Sequence, residues 1–330
     1  MEPARAVIEV EGLHKRYGGT VALDSLDLVV DEGTVAALIG PNGAGKTTAV
    51  RILTTLLQAD AGRAIVGGFD VARDGGDVRA RIGLVGQATS VDELLSGRQN
   101  LVLFGRLHHL SRPAARARAD ELLARFGLDD TGARAITTYS GGMRRRLDLA
   151  ASLIRAPRVL FLDEPTTGLD PAGRNEVWQA VRGLVAEGTT VLLTTQYLEE
   201  VDQLADAVHL VDHGRVVAAG SPDQLKSRVG GERIDVVVET PDDVATAAVA
   251  VARAAGAEVD VSPDDRRISA PVTDRMSVLT AVVTALRDAG VSAEDISLRR
   301  PTLDEAFLRL TDRATTTTAP LTPDHQEVPA

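Results

Sequence analysis

The sequence predicts an α/β chain, a buried and mostly parallel sheet carrying a phosphate-binding loop, with a smaller α+β domain behind it. Three observations predict this. Val35 to Ile39 is an unbroken apolar run of strand length, the pattern of a strand covered on both faces. Gly40-Pro41-Asn42-Gly43-Ala44-Gly45-Lys46-Thr47-Thr48 follows at once and fits G-x-x-x-x-G-K-[ST]. Past about residue 230 the pattern becomes β-α-β-β-α-β, the split ferredoxin-like order.

The loop has its expected context. Val50, Leu53, Leu56 and Leu57 recur at helical spacing over Thr48 to Leu57. A strand, a glycine turn and a helix N-terminus make an anion site. The glycines let backbone N–H groups approach phosphate oxygens, and the helix dipole favours negative charge. Lys46 would reach the β and γ phosphates of a nucleotide, and the Thr47 hydroxyl would sit on Mg²⁺.

Composition bounds the partners. At 330 residues with 44% hydrophobic content, two packed domains are expected. There is no cysteine, hence no disulfide framework and no thiolate metal site. No long apolar stretch opens the chain, so no signal peptide is expected. Runs such as Val159 to Leu162 fall far short of the ~20 apolar residues of a membrane span. A net charge of −11 and 3% aromatics argue against a nucleic-acid face or a base-stacking platform.

Taken in order, Val7 to Val10 and Val21 to Val30 read as strands, with Lys15 to Gly19 between them. Tyr17 there either stacks on an adenine ring or is an ordinary packed tyrosine. Ile82 to Val85 is a strand that leads to Gln87, a polar residue where doubly wound sheets keep their ligands; taken by itself, Gln87 is more simply a strand-end residue facing water. Gly97 to Leu110 and Pro113 to Phe126 form a helical insertion. Ser140-Gly141-Gly142 opens another helix, with Ser140 as N-cap and bare N–H groups on the glycines. The run Arg144 to Arg146 reads as a solvated helix face.

Val159 to Asp163 is a buried strand ending in two carboxylates, Asp163 and Glu164. Beside a phosphate loop, Asp163 suits Mg²⁺, and Glu164 suits orienting or deprotonating a water. Gly168-Leu169-Asp170 lies in a turn before a helix over Asn175 to Val185, and Thr190 to Thr195 is a further strand ending at Gln196. A last segment places Leu303, Phe307 and Leu310 on one helical face, and Thr315 to Ala330 reads as disordered.

In this order the motifs resemble the ATPase subunits of ATP-binding-cassette (ABC) transporters over residues 5 to 225. The resemblance makes Tyr17 the adenine-stacking residue, Gly40 to Thr47 the Walker A loop with Thr48 next to it at the nucleotide, and Gln87 the Q-loop. It makes Ser140-Gly141-Gly142 the signature, Asp163 with Glu164 Walker B and the catalytic carboxylate, and Gly168-Leu169-Asp170 the D-loop. Two departures stand out. Tyr139 and Met143 replace the outer residues of Leu-Ser-Gly-Gly-Gln, and Gln196 stands where the family's switch histidine is expected. None of the six histidines takes that place, since His209 and His213 come after the next helix.

The ending, Thr302-Leu303-Asp304-Glu305-Ala306-Phe307, with Gln196 and the Tyr139 to Arg146 signature, resembles the daunorubicin/doxorubicin-resistance exporters. The resemblance implies a RecA-like core with an antiparallel β subdomain and a helical subdomain at about 90–156 inside an ATPase domain at 1–228. An accessory domain at 229–312 and a tail at 313–330 would follow. It implies ATP and Mg²⁺ as cofactors, with Thr47, Gln87 and Asp163 at the metal, and catalysis by Lys46, Glu164 and Gln196. The partners implied are a second copy and a multi-spanning permease at the inner face of the cell membrane, with no nucleic acid. The rival readings are a soluble ABC ATPase on ribosomes or DNA and a nucleotide-dependent regulatory module. The first usually needs two cassettes or a long coiled coil, and the second fits poorly with an intact Glu164.

Overall fold

A computed structural model describes residues 5–87, 90–229, 232–272, 274–300 and 302–307. Its two units are Met1–Pro222 and Asp223–Ala330. The first begins with β1 (Ala6–Tyr17), β2 (Thr20–Asp31), β3 (Val35–Ile39), α1 (Lys46–Leu53), β4 (Ala61–Val66), β5 (Phe69–Asp70), α2 (Gly75–Arg81) and β6 (Ile82–Val85). Three helices follow, α3 (Gly97–Leu107), α4 (Arg112–Arg125) and α5 (Gly141–Ser152). The unit closes with β7 (Val159–Asp163), α6 (Pro171–Ala186), β8 (Thr190–Thr195), α7 (Leu198–Leu204), β9 (Ala207–Asp212) and β10 (Arg215–Gly220).

The central sheet has the order β10-β9-β3-β8-β7-β6. Every pairing is parallel except that of β10 with β9. β3, β7 and β8 are buried at every position, as a sheet covered on both faces requires. Alternation along β7 divides the core in two. Leu160 and Leu162 join α3, α4 and α5 through Leu101, Leu122 and Leu147. Val159 and Phe161 join the opposite cluster with Ile52, Leu53 and the inward face of β2. Each of these side chains, fully buried, contributes ~1.5–3 kcal/mol.

The second sheet, β2-β1-β4-β5, is antiparallel. β1 and β2 run to the hairpin tip, so Lys15 to Tyr17 lie in a strand and not in a connection. The pairing of β4 depends on Gly62, at φ 87°, where a Cβ would sit 2.3 Å from the Gly12 carbonyl oxygen. Helix α6 starts four residues ahead of the expected Asn175, because Asp170 caps it and Pro171 suits its first turn.

α8 (Pro222–Val229) spans the division between the units. The second unit holds β11 (Arg233–Val238), α9 (Val244–Ala255), β12 (Asp260–Ser262), β13 (Arg267–Pro271), α10 (Arg275–Asp288) and β14 (Ala293–Arg299). Its sheet order is β12-β13-β11-β14 with every pair antiparallel. Ile234, Val236 and Val238 pack on Val251, Val282 and Leu286.

The other face of β11 carries charge. Asp235 is buried and pairs with Arg299, which also holds Glu305 by two bonds of 2.8 and 3.0 Å. Glu305 and Thr302 cap the turn 303–307 reciprocally, at 3.0 and 3.2 Å. Leu303 and Ala306 are buried there, while Leu310 and the segment from Thr315 to Ala330 lie outside the described residues.

The hydrogen bonds from Arg299 hold the Glu305 carboxyl below its ordinary range. A depressed carboxylate gives stability that is present above the unfolded pKa and lost as pH falls through the folded one. We therefore expect Arg299→Ala to release residues 302–307 at neutral pH by about 1 kcal/mol, the pair being part-exposed. Amide exchange should speed several-fold there. In the parent chain the same release should come only below pH ~4; equal exchange in both chains at pH 7 would refute this role for Arg299.

Candidate functional site

The carboxyl ends of β3, β7 and β8 converge. Ile39 pairs with Thr195 and Asp163 with Thr194, so the phosphate loop, the two carboxylates and Gln196 leave the sheet side by side. The loop fits its seat through absent side chains. A Cβ on Gly45, at φ 107°, would lie 2.4 Å from the Ala22 carbonyl oxygen and 2.8 Å from Leu23 Cδ2. Gly45 caps α1, whose first residue is Lys46, so the helix N–H groups open toward the loop.

Lys46 is 6% exposed, and its Nζ donates to the carbonyl oxygens of Gly40 and Pro41 at 2.7 and 3.0 Å. Burial pushes its ammonium down from the ordinary range, and the carboxylates of Glu164 and Asp163 pull it back up. A cation faces two anions at the mouth of an amide-lined loop, the charge balance a polyphosphate with a divalent ion would complete. Thr47 follows at the start of α1, and Asp163 Oδ1 accepts from the Thr194 hydroxyl. Among the described residues no three His, Cys, Asp or Glu gather to hold a metal. One hydroxyl and one carboxylate suit Mg²⁺, which takes most of its ligands from phosphate and water.

Glu164 is held in an unusual backbone conformation. Its φ is 50°, and its N–H donates to the Thr194 carbonyl oxygen at 2.9 Å. A left-handed glutamate costs roughly 1–3 kcal/mol, which the surrounding structure must offset. Thr167 Oγ1 donates to Glu164 Oε2 at 3.3 Å. Glu164 lines a cleft of about 300 Å³ with Gln87, Gly141, Arg144, Gly168 and Leu169. The structure thus brings the carboxylate together with Gln87, the signature glycine and the D-loop.

The remaining expected residues fall around this centre. Ser140 caps α5 by accepting from the Met143 N–H at 3.2 Å. Ser140 and Gly141 are exposed, whereas Gly142 is buried against Gly173 and Glu176 of α6. Asp170 accepts from the Gly173 N–H at 2.8 Å. Gln196 is exposed beyond the end of β8. Tyr17 is 46% exposed at the tip of the β1–β2 hairpin, whose Ala22 and Leu23 abut Gly45. His209 lies inside β9 beside Leu38, where burial pushes its pKa down to about 4, and His213 is solvent-facing. Neither takes the place of Gln196.

The signature departure at Tyr139 has a packing reason. Tyr139 is buried, its hydroxyl donates to the Thr131 carbonyl oxygen at 2.8 Å, and it would touch a Cβ at Gly97 at 2.5 Å. The larger ring fits because α3 has glycine there.

Two groups had no sequence reading as site residues. Glu200 of α7 is fully buried; burial pushes its carboxyl up, and Trp178 Nε1 donates to it at 3.2 Å. Arg145 corrects the expected solvated face of Arg144 to Arg146: Arg144 and Arg146 reach surface glutamates, but Arg145 is buried. Helical spacing carried the signal, since Arg145 lies three residues after Gly142 and four before Leu149, both buried.

Known proteins match this arrangement. The family model described as ABC transporter matches residues 23–167. A daunorubicin resistance ATP-binding protein of Streptomyces coeruleorubidus is 63% identical, over 93% of this chain and 96% of its own length. The daunorubicin/doxorubicin resistance ATP-binding protein of Streptomyces peucetius is 48% identical, over 94% of this chain and 93% of its own. Among solved structures, cbiO1 of Clostridium perfringens, part of the ABC transporter complex cbiONQ, superposes with TM-score 0.63 at 29% identity, covering 67% of this chain and 91% of that one. The phosphate loop, the strand-end carboxylates, the signature helix and these likenesses agree: the chain belongs to the ATP-binding subunits of ABC transporters, among the daunorubicin-resistance type.

Proposed function

We propose that this ABC ATPase energises export of a drug-like or antibiotic-like compound through a separate membrane-spanning permease. The observation that carries this is 63% identity across 93% of the chain to a daunorubicin-resistance protein, and the cleft that gathers Glu164, Gln87 and Gly141 supports it. No helix among the described residues is long and apolar enough to cross a membrane; we assign the substrate path to the permease. The chain would then act at the inner face of the cell membrane.

Two copies would meet head to tail. Ser140 and Gly141 are exposed at the start of α5, ready to face a nucleotide held by the other copy. Tyr17 would stack on the adenine, and the Gly40 to Thr48 amides would cradle the phosphates. Thr47, Gln87 and Asp163 would hold Mg²⁺, whose charge offsets that of the phosphate oxygens. Lys46 would exchange its bonds to the Gly40 and Pro41 carbonyls for the β and γ phosphates. Glu164 would hold the attacking water and take its proton. Gln196 would donate its amide to the γ-phosphate. Little covalent work falls to the protein, so positioning and charge carry the rate.

The second unit we read as a ferredoxin-like accessory domain occupying about 229–312, on its β-α-β-β-α-β order and antiparallel sheet. We assign it to bracing the dimer or coupling to the permease, and 1–228 to the ATPase with a helical subdomain near 90–156.

The test is a pull-down of the tagged full chain from gently solubilised host membranes, with Mg²⁺-ATPase assayed in the eluate. A stoichiometric multi-spanning partner, and ATPase that responds to an anthracycline, is the expected result. Recovery of the chain only from the soluble fraction, or on ribosomes or DNA, overturns the exporter.

A further inference from the structure

Arg145 makes three bonds, all to backbone carbonyls around the hydrolytic centre. Its Nε donates to Pro165 at 2.7 Å, Nη1 to Gly86 at 2.7 Å, and Nη2 to Asp163 at 3.4 Å. Pro165 and Asp163 flank Glu164, and Gly86 precedes Gln87. One side chain of the signature helix therefore grips the backbone on both sides of the carboxylate and at the entrance to the Q-loop. A planar fork of fixed donors on three separate nitrogens holds three carbonyls in one relation, whereas an ammonium directs all its donors from a single atom.

The position is a costly one for charge. Arg145 is 6% exposed, and burial opposes its charge while Asp148, Glu200 and Asp163 offset that opposition. Asp148, on the same helix, accepts from the Ser90 N–H at 2.9 Å. The chain is thus held on both sides of Gln87 from α5. Glu164 itself sits at φ 50°, a conformation that persists only when its neighbours hold it.

We propose that Arg145 is a positioning residue for hydrolysis, aiming Glu164 and Gln87 according to how α5 is seated. This rests on the reading of Glu164 as the group that holds the attacking water. Arg145 lines the cleft of Glu164 and Gln87, but its three bonds all go to their backbone neighbours. It transmits the seating of the signature helix to the carboxylate, so that occupation of one copy's signature is felt at its own Glu164.

The test uses the full chain. Arg145→Lys keeps the charge but gives up the fixed fork of donors on three nitrogens; Arg145→Met with Asp148→Asn removes the two buried charges of α5 and serves if the first variant folds poorly. Nucleotide Kd should stay within ~3-fold while kcat falls ~30–100-fold, the scale of an ångström-level misplacement. A cycle with Glu164→Asp separates positioning from general weakening. If Arg145 acts through Glu164, Arg145→Lys lowers the Glu164→Asp rate by less than ~3-fold, since both changes displace one carboxylate. Parental kcat in Arg145→Lys overturns the proposal, as does a full multiplicative loss accompanied by a parallel loss of nucleotide affinity and melting temperature. Normal turnover in Glu164→Gln would instead overturn the role of Glu164, whatever Arg145 does.

Discussion

Glu164→Gln is expected to bind ATP at close to parental affinity and to hydrolyse it ~10²–10⁴-fold more slowly, the typical contribution of a positioned acid–base group. The substitution is nearly isosteric. It preserves the backbone N–H bond to the Thr194 carbonyl oxygen and an oxygen for Thr167 to donate to. What it removes is the capacity to take a proton from water, because an amide does not titrate in this range. It also removes one of the two carboxylates that raise the pKa of Lys46, so the phosphate loop loses some anionic repulsion toward ATP. The variant should therefore accumulate as an ATP-bound dimer. Light scattering with and without MgATP, alongside phosphate release, makes the measurement. Turnover within a factor of a few of the parent would remove Glu164 from the catalytic role.

Gln196→Ala is expected to lower kcat by ~10²–10³, or ~3–4 kcal/mol, the loss seen when one preorganised donor to a developing charge is deleted. Position supports this size of effect. β8 ends at Thr195, paired to Ile39 on one side, while Thr194 pairs with Asp163 on the other. The next residue thus leaves the sheet between the phosphate loop and the carboxylates. Gln196 is exposed, so its truncation opens no cavity and melting temperature should hardly move. A loss of kcat without a loss of stability distinguishes a donor to the γ-phosphate from a structural residue. Unchanged ATPase in Gln196→Ala would sink this assignment and leave the switch position without a working side chain.

Much of the site could be read from the chain because its chemistry is local. The loop from Gly40 to Thr48 would bind through its own backbone, and the strands before it and at Val159 to Asp163 announce themselves as unbroken apolar runs. Parallel strands end at the same side of the sheet, so residues just past such runs meet there; this is why Glu164 and Gln196 could be placed by position. The reciprocal cap between Thr302 and Glu305 is also local, within four residues, but it emerged only from the structure.

Other features have no local signature. β4 begins with Ala61, Gly62 and Arg63, all exposed, and is a strand only because β1 pairs with it and Gly62 lets the chains approach. Tyr139 in place of leucine follows from Gly97 on a different helix. Arg145 shares its residue type with its two neighbours, and helical spacing puts it on the side of Gly142 and Leu149 without saying what that side meets. What distinguishes it is which side of α5 faces the strand ends, since packing buries one arginine against the carbonyls of Asp163, Pro165 and Gly86 and leaves the other two part-buried, paired with Glu93 and Glu176. The sequence by itself determined the α/β class, the phosphate loop and the carboxylates at the strand ends, because each is encoded within a few consecutive residues. Only the tertiary structure decided which charged side chains are buried and what they hold, because burial is set by segments far apart in the chain, and a buried guanidinium turns its fork to whichever carbonyls the fold brings to it.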